Sequence, residues 1–284
     1  MIFNTSKISL LHIILFSFTV LTTLLSGAIM QGANILSDPI SIFKGVPFSA
    51  TLLLILGTHE FGHYYYSYRH NVEATLPYFI PAPPFIFLIG TFGAFIKIKS
   101  AITSRSALIQ IGAAGPIAGF IVAIPSLFVG LNLSEVFEKS SGFNGIVLGD
   151  SLLMKAMIWI THPTLAENQD VLLHPIAFAG WIGLLVTMLN LLPVGQLDGG
   201  HISYAMFGNK QKYIARFSLM AIVLLSFISL NWLVWGLLIF FLMRSTNHPP
   251  VNDFNKPLSR GDRALGYLCL LIFIICFIPA PFKL

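Results

Sequence analysis

Apolar runs long enough to cross a lipid bilayer recur along this chain, and they leave few folds open to it. A spanning helix takes about 20 apolar residues, at about 1.5 Å each against a hydrocarbon core of about 30 Å. By that measure Ile8 to Met30, Val46 to Tyr68, Ser106 to Leu131, Pro175 to Leu192 and Ala264 to Pro279 are spans. Tyr213 to Met243 is longer than one crossing needs, and is either a single tilted helix or two short helices bent at Asn231. With 56% apolar and 10% charged residues and a mean hydropathy of +0.82, the chain has more apolar surface than a soluble core of 284 residues buries. The expected architecture is an all-α polytopic membrane protein of six to seven transmembrane helices, forming a single domain over residues 1–284.

Charge placement chooses between the two forms of the long run. With a cytoplasmic amino terminus and a hairpin over 213–243, twelve of the sixteen Lys and Arg residues fall on the cytoplasmic side. Lys44, Lys139, Lys155 and Lys283 remain outside. A single crossing would move Arg244 to Arg263 outside as well, so the positive-inside rule favours the hairpin. The net charge of +5 reflects this bias rather than a nucleic-acid surface, since no basic patch with interleaved aromatics occurs. Cys269 and Cys276, seven residues apart in the last run, cannot bridge within one straight helix.

Two loops depart from the helical pattern. The outer loop from about Asn132 to His174 holds an amphipathic piece, Ser151 to Ile160, expected to lie on the membrane surface. Between Pro77 and Lys99, four prolines forbid a regular helix, and Phe95-Ile96-Lys97-Ile98-Lys99 alternates with period two. A short membrane-associated β segment is therefore expected near residues 90–99, with an edge able to pair with an extended substrate.

Polar groups gather at two places in this apolar background. His59-Glu60-Phe61-Gly62-His63 puts two imidazoles four residues apart on one helix face with a carboxylate beside them. Zinc takes neutral imidazole and carboxylate ligands in a four-coordinate arrangement. The site lies about 14 Å below the cytoplasmic boundary, where an unpartnered carboxyl costs a few kcal/mol. Glu60 and Asp198 are the two acids of eleven that fall in or at the end of a spanning run. Asp198 closes a segment, Asn190 to Gly200, in which Pro193, Gly195 and Gly199-Gly200 break the helix and Asn190 offers a polar amide. In the hairpin topology, the ends bearing His63 and Asp198 come out on the same side. His201 is an alternative ligand.

These residues resemble the site-2 protease family of intramembrane zinc metalloproteases, whose pattern pairs HExxH with a later NxxPxxxxDG. Both occur, at His59 to His63 and Asn190 to Gly199, and the resemblance covers about Val46 to Phe207. It implies a catalytic core over about 46–207, with His59, His63 and Asp198 holding Zn2+ and Glu60 catalytic. Gly115-Pro116 with Gly119 is similar to the family's Gly-Pro element, although some members carry Asn where Gly119 stands. Gly90-Thr91-Phe92-Gly93-Ala94 resembles the plant and cyanobacterial branch. With no room for a PDZ insert or a carboxy-terminal soluble domain, the expected protein is a minimal member.

The implied activity is hydrolysis of peptide bonds within or near transmembrane helices, as in regulated intramembrane proteolysis. Glu60 serves as base and Asn190 supports the oxyanion. Partners are single-span membrane-protein substrates and the lipid bilayer, with no nucleic acid. The absence of an Arg- and Ser-rich leader before Ile8 points to a prokaryotic plasma membrane. The rival readings are an intramembrane metal transporter or sensor, whose polar residues would be strung across the bilayer, and a catalytically dead scaffold, which would not need Glu60.

Overall fold

The computed structural model describes residues 8–139, 146–242, 251, 253 and 255–283. Met243, which closes the long apolar run, and the basic residues Lys7 and Arg244 lie outside the described residues. The fold is mostly helical. Among the described residues three helical stretches are long and apolar enough to cross a membrane, Leu10–Met30, Pro39–Arg69 and Arg105–Asn132, and three shorter apolar helices accompany them. The protein is an integral membrane protein whose chain falls into two compact units, each assembled from separated segments.

The first unit comprises residues 1–101, 118–134 and 173–183. Helix α1 (Leu10–Met30) packs against α2 (Val46–Arg69), which follows a 3-10 turn over Pro39–Gly45. A hydroxyl pair, Thr23 Oγ1 to Ser49 Oγ at 2.7 Å, joins the two helices inside the unit, where neither group has water to turn to. On its other side α2 meets the second half of α3 (Arg105–Asn132) and the first half of α5 (Pro175–Asn190). Phe48 stacks on Phe178, which stacks on Trp181.

The β segment sits here too, as a hairpin of β1 (Tyr78–Pro81) and β2 (Thr91–Phe95). The strand thus begins and ends earlier than the alternation at Phe95 to Lys99 indicates. Beyond Phe95 the pairing becomes irregular, with Ala74 bridging Ile98 and Thr75 N–H donating to Lys97 O. Proline explains the limit. Pro81, which has no N–H to give to a ladder, ends β1 at a shift of register, and the Ile80 carbonyl beside it accepts from Thr91 Oγ1 at 2.7 Å. Helix α1 covers the hairpin through His12 stacked on Tyr78 and Phe16 edge-on to Phe79.

The second unit comprises residues 102–117, 135–172 and 184–284. The run from 213 is a hairpin, α7 (Gln211–Ser226) packed on α8 (Leu230–Leu242), with the break at Phe227 to Ser229, just ahead of Asn231. Its tip is held by the end of the chain. Asn231 Nδ2 donates to Phe282 O at 2.8 Å, and the buried Trp232 donates its Nε1–H to Pro279 O at 2.7 Å. Strand β6 (Phe282–Lys283) pairs with β4 (Val147–Leu148) of the loop after α3. Lys283 is thereby joined to the loop that follows α3.

The described parts of that loop carry regular structure. Strand β3 (Glu135–Glu138) pairs antiparallel with β5 (Gln169–Leu172), and α4 (Leu152–Thr161) packs on α9 (Arg260–Cys276). The expectation of a mostly helical fold holds, and the described residues carry three two-stranded sheets where the sequence indicates one short β segment.

Candidate metal centre

Within the first unit, α2 carries His59, Glu60 and His63, which are 3%, 7% and 7% exposed. The helix repeat places His59 one turn above His63, and their Nε2 atoms come to 3.2 Å of one another with the rings nearly edge to face. Two ligand atoms held tetrahedrally at about 2.0–2.1 Å from zinc lie about 3.4 Å apart. The imidazole pair therefore already has the separation that one shared zinc requires.

The second half of α3 closes on this pair. A Cβ at Gly119 would fall 3.2 Å from both Cβ and Nδ1 of His59, so a side chain here would press on that imidazole unless α2 or α3 gave by a few tenths of an ångström. Gly119 has no side chain, so it cannot play the polar role that an Asn would play at this position. What position 119 contributes is absence of bulk.

Within the second unit, Asn190 is the last residue of α5 and Asp198 the first of α6 (Asp198–Phe207). The turn between them needs its glycines. Gly195 has a φ of +54°, and a Cβ at Gly199 or Gly200 would fall 2.0 Å from Leu191 O or 2.3 Å from Gly195 O. Folding the chain back this tightly puts Asp198 in the first turn of a new helix, where the helix dipole favours a negative charge. His201 is one turn further on, with its Cβ against Gly112 of α3.

A further buried acid stands at a helix start. Asp262 is in the first turn of α9 and 4% exposed. Ser259, three residues earlier, caps the helix by accepting from Asp262 N–H at 3.0 Å, and that Ser-x-x-Asp spacing is the signal that could have found it.

Residues 47–230 match the profile of Peptidase family M50. Over 276 residues the chain is 31% identical to a protein of Oryza sativa subsp. indica named as a probable zinc metalloprotease EGY2, chloroplastic, covering 93% of this chain and 48% of that protein. The Arabidopsis thaliana protein named as probable zinc metalloprotease EGY2 is 30% identical over 255 residues, 86% of this chain and 44% of that one. A third, from Arabidopsis thaliana and named as probable zinc metalloprotease EGY1, is 32% identical over 244 residues, 82% of this chain and 43% of that one. The chain spans about half the length of the curated relatives it matches. No solved structure matches it. The relatives are plant proteins named as chloroplastic, in keeping with the plant-branch resemblance at Gly90 to Ala94, and they give the expected prokaryotic plasma membrane no support.

Proposed function

Because the chain belongs to peptidase family M50, we propose that it is an intramembrane zinc metalloprotease that hydrolyses peptide bonds within or near the transmembrane helices of single-span membrane proteins. The observation that carries this reading is the buried imidazole pair of α2, set at zinc-ligand spacing with the buried carboxyl of Glu60 beside it. His59, His63 and Asp198 are the ligands, a donor set of two imidazoles and one carboxylate that suits zinc. When bound, zinc supplies Lewis-acid activation of a water molecule and of the substrate carbonyl.

The chain's own residues do the rest. Glu60 takes a proton from the attacking water and returns it to the leaving amine nitrogen, so that water and peptide become a carboxylic acid and an amine. Asn190 donates its side-chain amide N–H to the developing oxyanion. Burial of Glu60 at 7% exposure restricts competing water, which strengthens both interactions.

A transmembrane substrate satisfies its backbone internally and must be unwound before attack. Strand β2 has β1 on one edge, and its other edge receives the unwound segment as an added strand. The protease takes residues 1–284 as one domain with its core at 46–207, crossing the bilayer six or seven times through α1, α2, α3, α5, α9 and the α7–α8 pair. The site lies nearer the side rich in Lys and Arg. Reconstitution in liposomes with single-span substrates tests the reading: cleavage should stop on zinc removal and resume on its return, and cleavage indifferent to zinc would refute it.

A further inference from the structure

Arg105, the first residue of α3, stands where three segments of the second unit meet. Its Nε donates to Ala205 O at 2.6 Å, one terminal nitrogen to Met206 O at 3.2 Å and the other to Lys256 O at 3.3 Å. Its own backbone N–H donates to Asp253 Oδ1 at 2.7 Å, which fixes where the side chain starts. Lys256 Nζ lies 3.6 Å from the second oxygen of Asp253, an ion pair whose lysine is largely exposed.

Ala205 and Met206 belong to the last turn of α6. The last four carbonyls of an α-helix have no partner within it. Helix α6 has no basic residue of its own in that turn. The guanidinium supplies from outside both the missing donors and a positive charge at the negative end of the helix dipole. Its planar fork suits neighbouring carbonyls better than the point charge of a lysine does.

The same helix begins with Asp198. Eight residues at about 1.5 Å separate Asp198 from Met206, about 12 Å, so a tilt of about 10° about the clamped end would displace the carboxylate by about 2 Å. A metal-site donor has to be held within about 0.5 Å.

We propose that Arg105 is a positioning residue for the metal centre, clamping the far end of α6 so that Asp198 stays where its carboxylate meets the ion. This rests on the assignment of Asp198 as a zinc ligand made above. A stable helix end is worth having in any fold, and for overall stability the positive charge of Arg105→Lys at the helix end would replace much of what Arg supplies. A role in aiming Asp198 requires the fork.

The test compares the wild type with Arg105→Ala, Arg105→Lys and Asp198→Ala, each purified in detergent with zinc. It reads zinc per chain, the half-life of zinc release to a chelator, thermal melting, and kcat and KM on a single-span substrate. Arg105→Ala should still bind zinc and keep the wild-type KM while releasing zinc at least 10-fold faster and losing at least 10-fold in kcat. Arg105→Lys should recover only part of each. Wild-type release and kcat in Arg105→Ala, beside an Asp198→Ala that holds no zinc, would overturn the positioning role alone. So would a collapse of melting, KM and kcat together in Arg105→Ala that Arg105→Lys restores in full, which is the pattern of a general structural contact. An Asp198→Ala protein that holds zinc as the wild type does would overturn the ligand assignment and the positioning role with it.

Discussion

The Cβ of His59 and the Cα of Gly119 are so close that a methyl group at 119 would press on His59 at 3.2 Å, at both Cβ and Nδ1. The Cβ of a helical residue moves only with its backbone, so α2 or α3 must shift by a few tenths of an ångström to admit it. Overpacking of that kind costs about 1–3 kcal/mol. Gly119→Ala should lower the melting temperature modestly and reduce zinc content, with Gly119→Asn worse in both. Metal analysis beside a melting curve checks it, and a fully zinc-loaded, unshifted Gly119→Asn would show that the gap is wider than the packing indicates.

In the proposed mechanism Glu60 separates holding metal from using it. Glu60→Gln keeps the shape and burial of the side chain but removes its capacity to accept a proton, and general base catalysis is worth about 10²–10⁴ in rate. The variant should bind zinc with wild-type stoichiometry while its turnover falls by that factor. Single-turnover cleavage measured next to zinc content decides, and substantial activity in a zinc-loaded variant would remove Glu60 from the role of base.

The division between what sequence reveals and what it hides follows the range of the interactions. His59 and His63 are legible because both lie on one helix and its 3.6-residue repeat fixes their relation. The α7–α8 break is legible from charge counting, and its position at Phe227 to Ser229 misses Asn231 by only a few residues because no proline marks it. Strands β4 and β6 are not legible, since Val147 and Lys283 are brought together by the fold and neither has a local pattern. Arg105 reads as one more basic loop residue until Ala205 and Met206 arrive beside it. Gly119 is the intermediate case: its motif marks it, but whether a side chain fits depends on how close α2 comes.

Asp262 gives the fold a dependence on acid. Burial by itself would push its carboxyl up, but donors from Gln110 at 2.7 Å and from Ser259 and Ser106 at 2.9 Å outweigh that and hold it below the ordinary aspartate value of 3.8. A carboxyl with a lowered folded pKa adds stability that is full above its unfolded value and disappears as pH falls through the lower folded value. Asp262→Asn should therefore destabilise the protein at pH 7 by about 1–3 kcal/mol, the scale of hydrogen bonds to a charged group. The difference from wild type should shrink as pH drops below about 4. Melting curves across that range test it, and a constant gap would mean that the charge of Asp262 is not what matters.

Strand β2 carries the prediction about substrate. Ala94 lies opposite Phe79 in the middle of the β1–β2 pairing, with residues of β2 on both sides of it. Proline there fixes φ and removes a backbone donor, so the strand loses either a bond to β1 or one offered to an incoming chain. The proposed metal ligands are on helices, so Ala94→Pro should leave zinc content unchanged. The loss should fall on capture of the substrate: at least a 10-fold drop in kcat/KM on a single-span substrate, carried mainly by KM. A short, already extended peptide with no helix to unwind should suffer less, because it gives up less of its own hydrogen bonding to reach the site. Equal losses on both substrates, or a fall in kcat at constant KM, would place the effect of Ala94 in the chemistry and leave the strand edge without a part in recognition.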